Sequence, residues 1–533
     1  MIRFAQLFAR LDETTKTNEK IDAIAGYLDT ANPADAAWAV YFLSGQRRRR
    51  SVPTKLLRQW AGEVADLSDW LVDESYHAVG DLAETISLIV PPGEDLSELT
   101  LAQWVSQRLD PLASMDETAQ RQAVLRIWDE TRMPTRLVAM KLITGAFRVG
   151  VSKRLVTRAL AKHSGVPVDV VADRLMGQWQ PSDEVYRRWT DPTSPDRISS
   201  QPYPFCLAHP IDTETDVSTL GPREDYLAEW KWDGIRGQLI RRDGKSFLWS
   251  RGEELMENRW PEIESAAQWL PDGTVLDGEI LATAADGTVM PFAQLQRRIN
   301  RKTVGKKLLV EVPVVFHVFD LLEIDGVDLR DQPLQIRRQR LDQTLAQIDH
   351  PHLKPTEILT EPSWDDLTTI RQTSRQRRSE GLMLKRIDSK YDVGRVRGTW
   401  WKWKVDPFTI DAVLIYAQKG HGKRASLFTD YTFALWNDGE LVPFAKAYSG
   451  LDDAEIRKVD RFVRDHTDEA FGPVRRVTPT LVMELAFEGL QVSTRHKSGI
   501  ATRFPRIVRW RHDKGPQDAN SLDELKAMMP DGS

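Results

Sequence analysis

The stretch "AEWKWDGIRG", residues 228 to 237, sets a lysine between two tryptophans and follows it with Asp-Gly and an arginine. On a strand, side chains alternate with period two. Trp230 and Trp232 therefore share one apolar face, and Glu229 and Lys231 share the other. Asp233-Gly234 reads as a turn. A lysine held this way is either a surface charge or a nucleophile at the mouth of a pocket. Further stretches have the same character. "SRGEE" starts at Ser250, and "LDGEI" carries Glu279 on an otherwise mostly apolar strand. "EGLMLKR" puts Glu380 just before a strand on which Met383 and Lys385 share a face, and "WWKWKVD" sets Lys402 and Lys404 opposite Trp401 and Trp403. Each alone is most simply a surface charge or an ion pair. Burying several cations and carboxylates is costly unless they pair with each other or with a ligand. A pocket of three lysines, arginines and two glutamates suits a triphosphate and a divalent metal.

The elements that must position these residues follow from pattern. From about 215 to 405, strands alternate with helical segments. "GQLIRRDGKSFLWSRG" reads as a hairpin turning at Asp243-Gly244, "TVLDGEILAT", "VPVVFHVFDLLEIDG" and "GLMLKRID" as strands, and "PLQIRRQRLDQTLAQI" as a helix. Hairpin-joined strands favour an α+β domain over a doubly wound sheet. Residues 1 to about 195 carry apolar residues at three- and four-residue spacing, as in "IDAIAGYLDT", "RQAVLRIWDE" and "SKRLVTRALAKHSG". Ser152 is the expected N-cap of the last of these, and Gly165 lies near its end. The preceding "KLITGAFRVGVS" brackets Arg148 between Gly145 and Gly150, which is either a helix-to-helix turn or a place where backbone amides approach phosphate. "TDPTSPDRISSQPYPFCLAHPID" is the clearest linker. From 406 onward, short strands dominate, with a hairpin around Asn437-Asp438-Gly439 and one helix, "DDAEIRKVDRFVRDH". A small barrel of the OB type fits that pattern.

The 533 residues exceed a single core, so about two to four domains are expected. Composition is 41% hydrophobic and 28% charged, with a mean hydropathy of −0.43. No apolar run approaches the ~20 residues of a membrane span, and the start reads as no signal peptide. A cytoplasmic protein without a membrane partner is the expectation. The single cysteine, Cys206, excludes disulfides within the chain and four-cysteine zinc sites. Histidines are also sparse and none form a paired ligand spacing, so any metal must sit on carboxylates, which favours magnesium or manganese. Net charge is −5, yet Arg47 to Arg50, "KGHGKR" (419 to 424) and "RFPRIVRWRHDK" (503 to 514) are basic runs. They suit either a solvated surface or a nucleic-acid partner.

"KWDGIR", "SRGEE", "FDLL" (319 to 322), "EGLMLK" and "WWKWK", in that order, resemble the motifs of covalent nucleotidyltransferases, and "RFPRIVRWRHDK" resembles the last ligase motif. With the helical region before them, the chain resembles an ATP-dependent DNA ligase of archaeal and eukaryotic-type architecture, in a bacterial member. The resemblance implies a helical DNA-binding domain (1–204), an α+β adenylation domain (205–405) and an OB-fold domain (406–533). It implies that Lys231 attacks the α-phosphate of ATP, that Glu229 accepts from the adenine amino group, and that Phe319 stacks on the purine. Arg236, Arg251 and Glu279 would hold ribose and phosphates, Arg397, Lys402 and Lys404 further phosphate, and Glu380 with Glu279 the Mg2+ or Mn2+. Arg503, Arg506, Arg509, Asp513 and Lys514 would orient pyrophosphate once the OB domain closes over the site. Arg47, Arg48, Arg148, Lys153, Lys419 and Lys423 would contact nicked duplex DNA. A monomer is expected, and clamp, helicase or nuclease partners stay open.

Two rival readings fit the same residues: an RNA-joining or GTP-selecting capping enzyme on the same core, and a catalytically silent DNA-binding protein. An NAD-dependent ligase is set aside, since its zinc finger needs four cysteines.

Overall fold

A computed structural model describes all residues except 47, 95–97, 195–198, 212–215, 300, 302, 421–423 and 530–533. Packing divides the chain into two units. One holds Met1–Gly165, Pro181–Thr190 and Pro407–Ser533; the other holds Val166–Gln180 and Asp191–Asp406.

Seven principal strands build the second unit: β1 (Tyr226–Trp232), β2 (Ile235–Arg242), β3 (Lys245–Ser250), β4 (Thr274–Ala282), β5 (Val314–Ile324), β6 (Ser379–Arg386) and β7 (Trp400–Lys404). They form two sheets. In one, β6 lies between β1 and β7; in the other the order is β3-β2-β4-β5. The expected hairpin is present: Arg242 pairs with Lys245, and Asp243 and Gly244 both have positive φ, the backbone a two-residue turn requires. Helix α1 (Leu334–Ile348) carries the predicted "PLQIRRQRL" pattern and buries Leu341 and Leu345 in the core that also takes β5.

Within the sequence read as a linker, Gln201 to Cys206 are buried, while Asp191 to Thr193 are exposed. Tyr203 and Cys206 are fully buried beside Ile240, Val275, Leu322 and Trp400. Cys206–Leu207 pairs with Gly394–Arg395, and His209–Pro210 pairs with Trp401 and Lys402, both in parallel. Its prolines and serines reflect missing regular structure, while its aromatic residues supply the apolar surface that seats it. Val166–Gln180 belongs to this same unit, where Asp173 binds the Arg330 guanidinium at 3.0 and 3.2 Å.

In the first unit, the helical part is ordered as the 3.6-residue spacing predicts. Helix α2 (Lys153–Ser164) has Ser152 as N-cap, its hydroxyl accepting from Leu155 N at 3.3 Å, and ends on Gly165 at φ 73°. The loop before it is anchored by Phe147, whose ring packs on Phe4, Phe8 and Phe42. Gly145 and Gly150 both adopt positive φ, and buried Lys20 donates to the carbonyls of Val149 and Gly150 at 3.2 and 3.0 Å.

The C-terminal part of the same unit is β-rich. Its principal strands are β8 (Phe408–Lys419), β9 (Phe428–Asn437), β10 (Glu440–Ala447), β11 (Val482–Phe487) and β12 (Arg506–Trp510). Strand β8 pairs with β9 through its second half and with β11 through its first, the curling expected of an OB barrel. The β9–β10 hairpin turns at Asp438-Gly439, as read from sequence.

Candidate active site

Lys231 sits near the end of β1, and its ammonium donates to a carboxylate oxygen of Glu380. Lys404, on β7, reaches the same oxygen at 3.4 Å. Register explains the convergence: Gly381 stands opposite Lys404, and Met383 stands between Glu229 and Lys402. A bulge between Ser379 and Leu382 turns Glu380 toward the lysines. Gly381 makes the bulge feasible, since its φ is 137° and a Cβ there would collide with the Trp403 carbonyl. Burial first, and then the charges of Lys404, Arg395 and Lys231, hold the Lys402 ammonium below the ordinary lysine range. This is a concentrated positive field on one sheet face.

Glu279, on β4, faces it from the other sheet. Burial pushes its carboxyl up to about 8, against the opposing pull of Lys231 and Arg236. At neutral pH it is mostly protonated. Gly234, in the turn after Lys231, lets the chain pass close over it: a Cβ there would strike the Ile280 carbonyl and the Glu279 side chain. His317 stands opposite Glu279 in the β4–β5 register, and burial lowers its imidazole to about 4, so it is neutral.

Arg236 grips Asp277 through two bonds of 3.2 and 2.7 Å and donates to the Cys206 carbonyl at 2.7 Å. Its guanidinium also lies 5.2 Å from the Phe319 ring centre. Tyr391 donates to the same Asp277. In this state Arg236 spends its donors on the protein's own groups. Phe319 carries the Lys385 ammonium 4.2 Å from its ring centre, a cation–π contact. Arg251 and Arg397 are exposed, and the Arg251 amide donates to the Arg236 carbonyl at 3.0 Å.

Glu229 is buried and accepts three bonds: from Arg338 Nη1 (3.0 Å), Thr356 Oγ1 (2.8 Å) and Lys385 Nζ (2.6 Å). Arg338 and Thr356 had no sequence signal as site residues. One is a single basic position in an arginine-rich helix, and the other a threonine in a loop; only the fold brings them to Glu229.

The C-terminal motif pairs within its own barrel. Arg506 bonds Glu488 at 2.9 Å, Arg509 bonds Glu484 at 2.6 Å, and Lys514 bonds buried Asp411 at 2.6 Å. Arg511, not singled out from sequence, binds both Asp411 and Asp513. That bond holds the Asp513 carboxyl well below the usual range. The Arg503 guanidinium lies 5.3 Å from the Phe504 ring centre.

Of the expected DNA contacts, Arg47 and Lys423 lie outside the described residues. Arg48 pairs with Asp110 and stacks 5.5 Å from the Trp38 ring centre. Arg148 is exposed in the loop bracketed by Gly145 and Gly150, Lys153 begins α2, and Lys419 ends β8.

Two facing sheets with a lysine nucleophile candidate and a lysine pair on one of them define a nucleotidyltransferase core. Three family models match in order: "DNA ligase N terminus" over residues 1–161, "ATP dependent DNA ligase domain" over 206–404, and "ATP dependent DNA ligase C terminal region" over 424–514. The chain is 33% identical to a "Probable DNA ligase" of Koribacter versatilis, over 98% of this chain and 95% of that one. It is 25% identical to a "DNA ligase" of Thermococcus fumicolans, over 98% and 97%. A solved structure named Pmar-Lig_Pre shares the fold, with a TM-score of 0.63 at 16% identity over 96% of this chain and 99% of that one. This protein belongs to the ATP-dependent DNA ligase family. It is a DNA ligase that uses ATP, and the capping and silent-binding readings fall away. Among the described residues, no helix is long and apolar enough to cross a membrane.

Proposed function

We propose that the chain seals 5′-phosphate/3′-hydroxyl nicks in duplex DNA, with Lys231 as the nucleophile. The observation that carries this reading is the meeting of Lys231, Lys404 and Glu380 on three adjacent strands, with Lys402 beside them. Lys231 leaves Glu380, gives up a proton to solvent and attacks the α-phosphorus of ATP as the free amine. An N–P bond forms, the α–β P–O bond breaks, and pyrophosphate departs. The 5′-phosphate of the nick then attacks the same phosphorus, and the lysine leaves and regains a proton. Finally the 3′-hydroxyl loses its proton to solvent and attacks the 5′-phosphorus; a new P–O bond forms, the P–O bond to AMP breaks, and AMP is expelled. Each step is in-line transfer, in which positioning and fixed charge supply most of the acceleration. Lys402 and Lys404 neutralise the α-phosphate, Phe319 and Glu229 hold the base, and Glu279 meets the ribose. Arg236, Arg251 and Arg397 are assigned to ribose and phosphate, which requires Arg236 to exchange part of its grip on Asp277. The set Arg503, Arg506, Arg509, Asp513 and Lys514 acts in the first step.

Among the described residues no group of three or more metal-ligating side chains forms a cage. Glu279 and Glu380 still fit Mg2+ or Mn2+, because such ions take one or two carboxylates and complete their shell with phosphates and water. The bound ion would neutralise phosphate charge. We assign residues 1–204 to DNA binding, 205–405 to adenylation and 406–533 to the OB domain, in a cytoplasmic enzyme working as a monomer. Arg48, Arg148, Lys153 and Lys419 are the proposed backbone contacts, which makes binding salt-sensitive and sequence-independent.

The test is to incubate the protein with Mg2+ and ATP labelled on the α-phosphate, after pyrophosphate treatment to strip bound AMP, and then denature it. Label that persists on the wild type and is absent from Lys231→Ala supports the reading. Unlabelled wild-type protein overturns it. Nicked duplexes with DNA or RNA strands then define the substrate.

A further inference from the structure

Resting on Glu229 as the adenine contact, we propose that Arg338 and Thr356 determine base selectivity by limiting Glu229 to a single-acceptor reader. A carboxylate offers about four acceptor positions, two on each oxygen. Arg338 Nη1 and Thr356 Oγ1 both bond Oε1, at 3.0 and 2.8 Å, and fill it. Lys385 Nζ bonds Oε2 at 2.6 Å and takes one of its two positions. One acceptor position remains, on Oε2.

That remaining position distinguishes the two purines. Adenine presents a single donor group at C6, its amino group, and one acceptor position satisfies it. Guanine presents a carbonyl at C6, and its donors are N1–H and the 2-amino group, a pair that a carboxylate grips with both oxygens. With Oε1 occupied, the two-oxygen grip is closed, and a guanine donor is left unpaired at a buried carboxylate, which is costly.

The clamp is rigid. Arg338, Thr356, Lys385 and Glu229 are all buried, at 6, 4, 1 and 2% exposure. Arg338 Nη2 also donates to the Thr356 carbonyl at 2.6 Å, and its Nε binds Asp342 at 2.9 and 3.1 Å. The arginine therefore fixes its threonine partner as well as Glu229. Arg338 and Thr356 act through Glu229 and are positioning residues.

The experiment measures kcat/KM for transfer of labelled AMP from ATP, and of labelled GMP from GTP, onto the full-length protein. Thr356→Val removes the hydroxyl donor at nearly constant volume, Thr356→Ser keeps it, and Arg338→Gln opens the same oxygen from the other side. Thermal melting of each variant accompanies the kinetics. The expected result is a GTP-to-ATP ratio raised by about tenfold in Thr356→Val and Arg338→Gln, the order that one hydrogen bond controls, with Thr356→Ser at the wild-type ratio. A purely structural role would lower both nucleotides together. Glu229→Gln separates the adenine contact from the clamp behind it. If it shifts the ratio while Thr356→Val and Arg338→Gln do not, the clamp is overturned and Glu229 stands. If Glu229→Gln also leaves the ratio unchanged, the adenine contact and the clamp both fall.

Discussion

The Lys231 ammonium rests on Glu380, and Lys404 reaches the same carboxylate oxygen at 3.4 Å. One anion thus holds the proposed nucleophile and one of its phosphate-binding partners. Glu380 offsets the charge of both lysines; under the proposed function, the triphosphate would take over that part with its own negative charge.

Loss of that anion leaves lysines facing one another. Glu380→Gln is expected to lower self-adenylation by about a hundredfold, the order of effect for removing one charged group from a preorganised site. Phosphoramidate formation under saturating ATP is the measurement; a rate within threefold of wild type would remove Glu380 from the mechanism.

Lys231→Ala and Lys231→Arg should each abolish self-adenylation, by at least about a thousandfold, since neither supplies an amine that can attack. Both should still seal a nick already carrying 5′-adenylate, because the covalent step has been bypassed. Failure on that substrate would indicate that the substitutions damage more than the nucleophile.

Glu279 makes stability fall as pH rises. Its folded carboxyl is raised to about 8 from 4.5. Between those values the folded protein binds more protons than the unfolded one, so its stability falls as pH rises. The contribution is complete below 4.5 and lost as pH passes through about 8. Glu279→Gln should flatten the decline in Tm from pH 5 to 8. If Glu279 is also a metal ligand, Mg2+ with ATP should release a proton on binding at pH 7, and calorimetry in buffers of different ionisation enthalpy reads that release.

Arg148 tests the helical part. It is exposed on a loop anchored by Phe147 and Lys20. Arg148→Ala should weaken binding to nicked duplex and reduce the slope of log K against log salt by about one. Self-adenylation should stay unchanged. An unaltered slope would take this arginine off the phosphate backbone.

In the C-terminal motif, Arg509→Ala should cut self-adenylation by about a hundredfold while sealing of a pre-adenylated nick stays within threefold, because the group is assigned to the first step. Arg511→Met should behave differently. Arg511 binds Asp411 and Asp513, so its loss should lower Tm and weaken every step together.

Much of this protein is legible in its sequence because the information is local. Period-two alternation around Lys231, the Asp243-Gly244 and Asp438-Gly439 turns, the Ser152 cap and the Gly165 terminus each depend on a few neighbouring residues, and the structure agrees with each. The ordered motifs also point to the family, and the family models match the chain in the same order. What only tertiary structure decided is long-range pairing. Sequence shows an arginine after the Asp-Gly turn, but the fold commits Arg236 to Asp277 and the Cys206 carbonyl. Sequence reads residues near 203 as linker, but burial of Tyr203 and Cys206 against Ile240 and Trp400 makes them core. Glu229 finds Arg338 and Thr356 more than a hundred positions away. A buried charge must be satisfied by whatever the fold brings beside it, and that partner need carry no signal in its own local sequence.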